Sequence, residues 1–174
     1  MKVNLFQTKL EDTNKISDLN KAFNKLLKNG DFILGQNVKK FENNLAKYLG
    51  AKYAVGVNSG TDAIQLSLLA SGVKPGDIVI TSAFTYFATI EAIYNIGAKP
   101  FLVDICKKTL QMDMDKINKE VLKSAKFIVP VHLFGGLVNI DKLMFFKKNY
   151  KLKIIEDVAQ SFGTKYKNKL IGTF

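Results

Sequence analysis

Two adjacent carboxylates and an amide follow a short apolar run near the carboxyl end of the chain. The segment from Lys153 to Gly163 reads KIIEDVAQSFG, and its polar side chains include Glu156, Asp157 and Gln160. Such a run is typical of a buried parallel strand, so both carboxylates would lie at its carboxyl end, where open α/β sheets bind ligands. A carboxylate there, with the Gln160 amide three residues after Asp157, suits a ligand that needs one fixed negative charge and one neutral hydrogen-bonding group. A strand that simply ends in a polar turn explains the same residues.

A glycine-containing segment earlier in the chain has the chemistry of a phosphate site. The run from Ala54 to Val57 predicts a buried strand, and Ser59, Gly60 and Thr61 lead from it into a helix-like run. Glycine lets backbone amides approach a ligand, and a helix N-terminus presents unpaired N–H groups with a favourable dipole. Ser59 or Thr61 would serve equally well as a plain helix cap. The segment is neither a dinucleotide fingerprint nor a Walker loop.

Aromatic side chains crowd the next strand-to-helix junction, which reads TSAFTYFAT. Phe84, Tyr86 and Phe87 lie there, and one of them could cover a flat ligand, although a core position explains any single one. A phosphate loop, a planar aromatic and an acid at one sheet edge together predict a site for a flat, phosphorylated heteroaromatic cofactor. Pyridoxal 5'-phosphate fits this set better than a nucleotide, because the acid would keep its pyridine nitrogen protonated.

The elements that position these residues alternate along the chain. Two helical patterns come first, Ile16 to Asn29 and Val38 to Leu49, each followed by a glycine. The alternation that follows predicts a three-layer α/β/α fold with a mostly parallel sheet and helices on both faces. The strand-like segments are Tyr53 to Val57, Ile78 to Thr81, Phe101 to Val103, Phe127 to Val131 and Ile154 to Glu156. The helix-like segments are Asp62 to Ser71, Phe87 to Ile96, Asp115 to Leu122 and Asp141 to Lys148.

The last residues, FGTKYKNKLIGTF, predict a two-stranded ribbon that turns near Asn168. Lys165, Lys167 and Lys169 occupy alternate positions there, the period of an exposed strand face. We therefore expect solvated lysines on this ribbon rather than a catalytic amine.

Composition excludes several classes of protein. The chain has 174 residues, of which 47% are hydrophobic and 24% charged, as in an ordinary globular domain. Cys106 is the only cysteine and His132 the only histidine, so a disulfide framework, a thiolate zinc site and a histidine-rich metal site are not expected. No apolar stretch is long enough to span a bilayer. The N-terminus, MKVNLFQTKLED, lacks a secretory signal pattern, which predicts a cytoplasmic location.

The net charge of +11 suggests a nucleic-acid-binding module, but the type of basic residue argues against one. All 26 basic residues are lysines, scattered along the chain. Specific base recognition favours the bidentate guanidinium of arginine. The scattered lysines resemble the imprint of an AT-rich coding sequence more than a binding surface, and a modest attraction for phosphorylated or nucleotide-linked substrates is left open as an alternative.

Five motifs in this order and spacing resemble the DegT/DnrJ/EryC1/StrS family of pyridoxal-phosphate-dependent sugar aminotransferases. They are NSGTDAIQLSL, KPGDIVITSAFTYFATIEAI, GAKPFLVDI, VPVHLFG and IIEDVAQSFGTKYKNKLIGTF, and the upstream GDFILGQNVKKFENNLAKYLGAKYAV matches as well. The resemblance implies the large domain of the fold-type I transferase fold over residues 37–174, preceded by a helical segment over residues 1–36. It also implies that this domain is incomplete here and that the C-terminal small domain is absent.

The resemblance also implies roles for matching residues. Gly60, Thr61 and the backbone of Asp62 would cradle the cofactor phosphate, with Ser59 lining the site beside them. The aromatic ring of Tyr86 would stack on the cofactor.

Three further residues take implied roles around the cofactor ring. Asp157 would pair with the pyridine nitrogen, and Gln160 would lie near the ring hydroxyl. His132 would line the site from the neighbouring strand, although a buried histidine satisfied by the backbone is an equal alternative.

One family residue has no match. In the family, a serine and then the lysine that carries the cofactor as a Schiff base follow the motif IGTF, so that lysine is expected beyond Phe174. Without it, we expect this chain to be a fragment that does not transaminate by itself.

The implied activity is transfer of an amino group, from an amino acid such as glutamate to a nucleotide-linked keto-sugar, for bacterial surface polysaccharide or glycan synthesis. A homodimer is implied for the full-length protein. Two alternatives remain open: a keto-deoxysugar dehydratase of the same family, in which histidine replaces the lysine, and a non-catalytic remnant or partner-binding subunit.

Overall fold

The computed structural model describes residues 13–174, which divide into two compact units. The first contains the described residues up to Tyr48 together with Lys52–Ala54. The second contains Leu49–Ala51 and Val55–Phe174. The prediction that the N-terminus lacks a secretory signal falls on residues 1–12, outside the described residues. None of the helices within residues 13–174 is long and apolar enough to cross a membrane.

Two amphipathic helices dominate the first unit: α1, Thr13–Asn29, and α2, Gln36–Leu49. Both begin within three residues of the predicted start and end at the predicted residue. Gly30 follows α1 with a φ of +67° and donates its N–H to the carbonyl of Leu26 at 3.0 Å. This is a left-handed helix end, which glycine adopts without strain.

Alternating helices and strands build the second unit. The helices are α3 Gly60–Ala70, α4 Phe87–Asn95, α5 Lys119–Ser124 and α6 Ile140–Tyr150. The strands are β1 Ile78–Ser82, β2 Lys99–Val103, β3 Phe127–Val129, β4 Lys153–Ile154, β5 Lys165–Tyr166 and β6 Lys169–Leu170. Short 3-10 turns lie at Met114–Lys116 and Leu133–Gly135.

Four strands form one parallel sheet in the order β2-β1-β3-β4. Ile80, in the middle of β1, lies opposite Phe101 on one side and Ile128 on the other. An isolated parallel bridge joins Val131 to Asp157 beyond the last paired residues of β3 and β4. This bridge fixes Asp157 at the carboxyl edge of the sheet.

Successive strand residues pack into different cores, one on each face of the sheet. Val79 and Phe127 pack with Leu68 of α3 on one face. On the other face, Ile80 packs with Leu143 of α6. The three-layer α/β/α arrangement with a parallel sheet is thus confirmed. Successive residues of a strand point to opposite faces, so a strand covered on both faces needs apolar residues at consecutive positions.

Two predicted elements are wrong within the described residues. Tyr53 to Val57 forms no strand, since none of the described strands pairs with it, and Tyr53 and Val55 expose 74% and 79% of their surface. Asp115 to Leu122 is not one helix but a 3-10 turn followed by α5. Asn118 separates the two, because its side chain accepts the Val121 N–H at 2.8 Å and starts a new helix.

The predicted ribbon is the antiparallel pair of β5 and β6. Lys167 and Asn168 form its two-residue turn, both with positive φ, as a hairpin of this length requires. Lys167 is not simply solvated, because its Nζ donates to a carboxylate oxygen of Asp141 at 2.9 Å.

Candidate functional site

A cavity of about 450 Å³ opens at the carboxyl edge of the sheet. Its walls come from the start of α3, the start of α4 and the segment after β4, which are far apart in sequence. Four of the predicted site residues line it together: Gly60, Thr61, Tyr86 and Asp157. Ser59, Asp62, Gln160 and His132 are not among its lining residues and lie around it.

The start of α3 combines a side-chain cap with backbone N–H groups that have no intrahelical partner. The Ser59 side chain caps the helix, accepting the Asp62 N–H at 3.1 Å and donating to the Asp62 carboxylate at 2.8 Å. The Asp62 N–H is therefore occupied by the cap, so the N–H groups of Gly60 and Thr61 are the ones that face outward without an intrahelical partner. A Cβ placed on Gly60 would meet no atom within 4 Å, so a ligand can approach this backbone closely.

Asp157 is held in one orientation by two donors. Its Oδ2 accepts the hydroxyl of Thr89 at 2.9 Å, and its Oδ1 accepts the N–H of Ala159 at 3.2 Å. Thr89 is buried, and its hydroxyl also lies 3.2 Å from that of Thr85, in the loop before α4. The carboxylate is thereby fixed at the cavity wall with acceptor capacity left for one more donor.

Sequence reasoning missed Thr89. A threonine within a helix is usually an ordinary surface or core residue, and no spacing links it to an acid 68 positions later. The only available signal was its place in the first turn of the helix that follows β1.

Gln160 supports a neighbouring turn rather than the cavity. Its Oε1 accepts the Phe134 N–H at 3.0 Å, and its backbone carbonyl accepts the Gly135 N–H at 3.0 Å. Phe134 has a φ of 55°, an uncommon conformation for a bulky residue, and its ring lies 6.3 Å from that of Phe84. Gln160 therefore holds a strained turn at the edge of the site.

His132 is completely buried and paired with a buried carboxylate. Its Nδ1 accepts the Val138 N–H at 3.3 Å, so in the neutral ring the proton is on Nε2, which lies 3.3 Å from Oε2 of Glu156. Burial acts to raise the pKa of Glu156, but the hydrogen bond from His132 and two backbone N–H donors outweigh it, and the pKa lies below its ordinary value.

Tyr86 is the N-cap residue immediately before α4, and its side chain makes no capping hydrogen bond. It exposes 79% of its surface and lines the cavity. An exposed aromatic at a cavity mouth is available to cover a planar ligand. In the part of the chain that the structure describes, no cluster of three or more potential metal ligands occurs.

The fold is that of an α/β protein with a cavity at the carboxyl edge of its parallel sheet, lined by the start of α3 and by an oriented carboxylate. The chain belongs to the DegT/DnrJ/EryC1/StrS aminotransferase family, whose model matches residues 13–174. The family is pyridoxal-phosphate-dependent. The resemblance predicted from the motifs is thus confirmed.

Curated relatives include enzymes that act on nucleotide-linked sugars. UDP-2-acetamido-2-deoxy-3-oxo-D-glucuronate aminotransferase of Pseudomonas aeruginosa is 42% identical over 145 residues, which are 83% of this chain and 40% of that protein. A pleiotropic regulatory protein of Geobacillus stearothermophilus is 41% identical over 155 residues, which are 89% of this chain and 42% of that protein. The chain thus spans about two fifths of the length of these relatives.

Solved structures of similar proteins contain the cofactor. DesV of S. venezuelae, in complex with a ketimine intermediate, is similar with a TM-score of 0.87 and 34% identity, over 92% of this chain and 43% of that one. NtdA of Bacillus subtilis, with bound cofactor PMP, has a TM-score of 0.84 and 37% identity, over 88% and 35%. GDP-4-keto-6-deoxy-D-mannose-3-dehydratase of E. coli, with bound hydrated PLP, has a TM-score of 0.83 and 29% identity, over 98% and 44%.

The cavity residues fit such a cofactor. The open space above Gly60 and the adjoining N–H groups at the start of α3 suit a phosphate. Across the cavity, the oriented Asp157 carboxylate suits a protonated ring nitrogen. No lysine is among the residues that line the cavity within residues 13–174.

Proposed function

We propose that this chain is part of an aminotransferase that moves an amino group from an amino acid, such as glutamate, to a nucleotide-linked keto-sugar. The products would enter bacterial surface polysaccharide or glycan synthesis. The observation that carries the proposal is the Asp157 carboxylate, held by Thr89 and Ala159 at the wall of a cavity that also contains the start of α3. The sugar-nucleotide substrates named for the curated relatives support the substrate class.

Four residues that line the cavity have a part in this proposal. The N–H groups of Gly60 and Thr61 bind the cofactor phosphate, and Tyr86 covers one face of the ring. Asp157 keeps the proton on the ring nitrogen, because its own oxygens are oriented by two donors and cannot turn away. When bound, the cofactor supplies an electron sink for the carbon that gains or loses the amino group.

The reaction also needs an amine that holds the cofactor and moves a proton. No lysine lines the cavity within the described residues. We therefore assign this lysine to a segment outside residues 13–174. We expect turnover from a protein that has the full length of the relatives.

A dehydratase is the second candidate, and one finding favours it. The structure of the E. coli dehydratase covers 98% of this chain with a TM-score of 0.83. The described cavity does not distinguish the two reactions, since both would use the same cofactor-binding residues. The reaction product does, because only the aminotransferase adds nitrogen to the sugar.

A titration of the 174-residue chain with pyridoxal phosphate tests the cofactor site. We expect saturable binding by absorbance and fluorescence, and weaker binding in Asp157→Asn, whose amide can still accept from Ala159 and donate to the Thr89 hydroxyl but lacks the charge. Absence of saturable binding in the unchanged chain would contradict the proposal.

Analysis of the products made by a protein with the full length of the relatives distinguishes the aminotransferase reaction from the dehydratase reaction. Mass spectrometry after incubation with glutamate, the cofactor and a nucleotide-linked keto-sugar should show an aminated sugar. A deoxygenated keto-sugar would instead favour the dehydratase. Cofactor binding with neither product would favour a non-catalytic or partner-binding role.

We also propose, on the family resemblance alone, that the full-length protein works as a homodimer in the cytoplasm. Light scattering of the purified full-length protein tests the first statement. Fractionation of the cells that produce it tests the second.

A further inference from the structure

Glu156 is the carboxylate beside Asp157 that the proposed function leaves without a part. We propose that Glu156 is a positioning residue that fixes the segment Gly172–Phe174 against the wall of the cofactor cavity. The inference deepens the proposed function and rests on it where the cofactor is concerned.

Three donors converge on this one carboxylate. Oε1 accepts the Phe174 N–H at 2.8 Å, and Oε2 accepts the Gly172 N–H at 3.1 Å. Oε2 also lies 3.3 Å from Nε2 of His132. The Glu156 side chain is 4% exposed, so these partners replace water almost completely.

The donor set requires a group that only accepts. His132 presents the proton of its neutral ring on Nε2, because the Val138 N–H occupies Nδ1. Backbone N–H groups approach both oxygens of Glu156, so an amide in its place would put an NH2 group against at least one donor. An ionised carboxylate is therefore the side chain that satisfies all three partners.

The anchored segment reaches the cavity through Val158. Gly172 has a φ of +88°, and a Cβ built on it would lie 3.5 Å from both methyl groups of Val158. Val158 lines the cavity, and Ile171 is buried in the core beneath it. Val158 packs against the same core cluster as Ile171 and Phe174, so release of this segment would remove packing from a cavity residue that is next to Asp157 in sequence.

Asp141 provides a matched control. It is also a carboxylate that holds the C-terminal ribbon, accepting from the Tyr166 hydroxyl and from Lys167. It is 67% exposed and is not among the residues that line the cavity. Asp141→Asn thus weakens contacts on the exposed side of the ribbon, whereas Glu156→Gln weakens the hydrogen bonds that hold Gly172–Phe174 beside the cavity.

The experiment is amide hydrogen exchange of the complete 174-residue chain without cofactor, followed by cofactor titration of the same samples. In Glu156→Gln we expect the Gly172 and Phe174 amides to exchange about tenfold faster or more. We also expect the dissociation constant for pyridoxal phosphate to rise about threefold or more. Asp141→Asn should change neither, although exchange within the ribbon itself should increase.

The exchange result tests the anchoring of Gly172–Phe174, and the dissociation constant tests its link to the cavity. Unchanged exchange at Gly172 and Phe174 would overturn the anchoring. Faster exchange with an unchanged dissociation constant would overturn the link to the cavity. Failure of the unchanged chain to bind pyridoxal phosphate would instead contradict the proposed function, while the exchange result would still decide the anchoring. If Glu156→Gln does not fold, Glu156→Asp keeps the charge but shortens the reach, and the same exchange result is expected.

Discussion

Two neighbouring carboxylates have different environments because they follow each other on an extended segment. Both residues line the cavity, but Asp157 is oriented by Thr89, whereas Glu156 accepts from His132 and from backbone N–H groups. Successive side chains of an extended chain point to opposite sides, so adjacent acids can take separate parts. At this scale the hydrogen-bond donors around each carboxylate, such as the Thr89 hydroxyl at Asp157 and the His132 ring at Glu156, determine its role.

Removal of the Thr89 hydroxyl should weaken cofactor binding. In Thr89→Val, Asp157 loses the donor that fixes its orientation, and a hydrogen bond to a charged group contributes about 1.5–3 kcal/mol. We expect the affinity for pyridoxal phosphate to fall by about tenfold or more, measured by fluorescence titration. Thr89→Ser retains the hydroxyl and should bind nearly as well as the unchanged chain. Equal affinity of the valine and serine variants would contradict this role.

A methyl group on Gly60 should separate stability from binding. The added Cβ meets nothing in the protein, and alanine in place of an unstrained helical glycine stabilises by about 0.4–1 kcal/mol. The same methyl group would occupy the space proposed for the phosphate. Gly60→Ala should therefore melt at a higher temperature and bind pyridoxal phosphate more weakly. Unchanged affinity would place the phosphate elsewhere.

At the scale of elements, helix starts and strand ends determine where the site can form. The parallel pairing of β1, β3 and β4 brings their carboxyl ends to one edge, and α3 and α4 begin at the cavity there. The cap of α3 therefore has both a structural and a functional consequence.

Two helix caps allow these consequences to be separated. Ser59 accepts the Asp62 N–H, and Asn139 accepts the Lys142 N–H at 3.0 Å at the start of α6, away from the cavity. Ser59→Ala and Asn139→Ala should each lower the free energy of unfolding by about 1 kcal/mol, measured by urea denaturation. Only Ser59→Ala should also weaken cofactor binding. Weaker binding in both variants would mean that general destabilisation accounts for the effect.

The sequence predicted the parallel sheet and the cavity residues that lie at strand ends and helix starts. Gly60 and Asp157 could be predicted as site residues because their positions follow from local sequence patterns. The contact of Thr89 with Asp157 could not be predicted in this way, since it depends on how α4 packs against β1 and on the order of the strands in the sheet. The predicted strand at Tyr53 to Val57 was wrong for a similar reason, because strand formation requires a partner and the described strands provide none.

At the scale of the molecule, the ionised Glu156 couples stability to pH. Its pKa is lowered in the folded chain from the ordinary value of 4.5, so its stabilising contribution is complete above that value and is lost as the pH falls through the lower, folded value. His132 faces this carboxylate in the folded chain. Urea midpoints from about pH 6 to about pH 3 should fall less steeply in Glu156→Gln than in the unchanged chain. Parallel slopes would show that Glu156 does not contribute.

The parallel sheet has a further consequence for how the chain folds. Among the described strands, only β5 and β6 are joined by a tight turn, and the other pairings close loops that include helices. The cavity unites Gly60 with Asp157, which are about 100 residues apart in sequence, and long-range closure of this kind is slow. After dilution from urea, stopped-flow circular dichroism should therefore show helix recovery before cofactor fluorescence reports binding. The ability to bind the cofactor would then appear in the last stage of folding. Excess cofactor would stabilise the chains that have completed that stage.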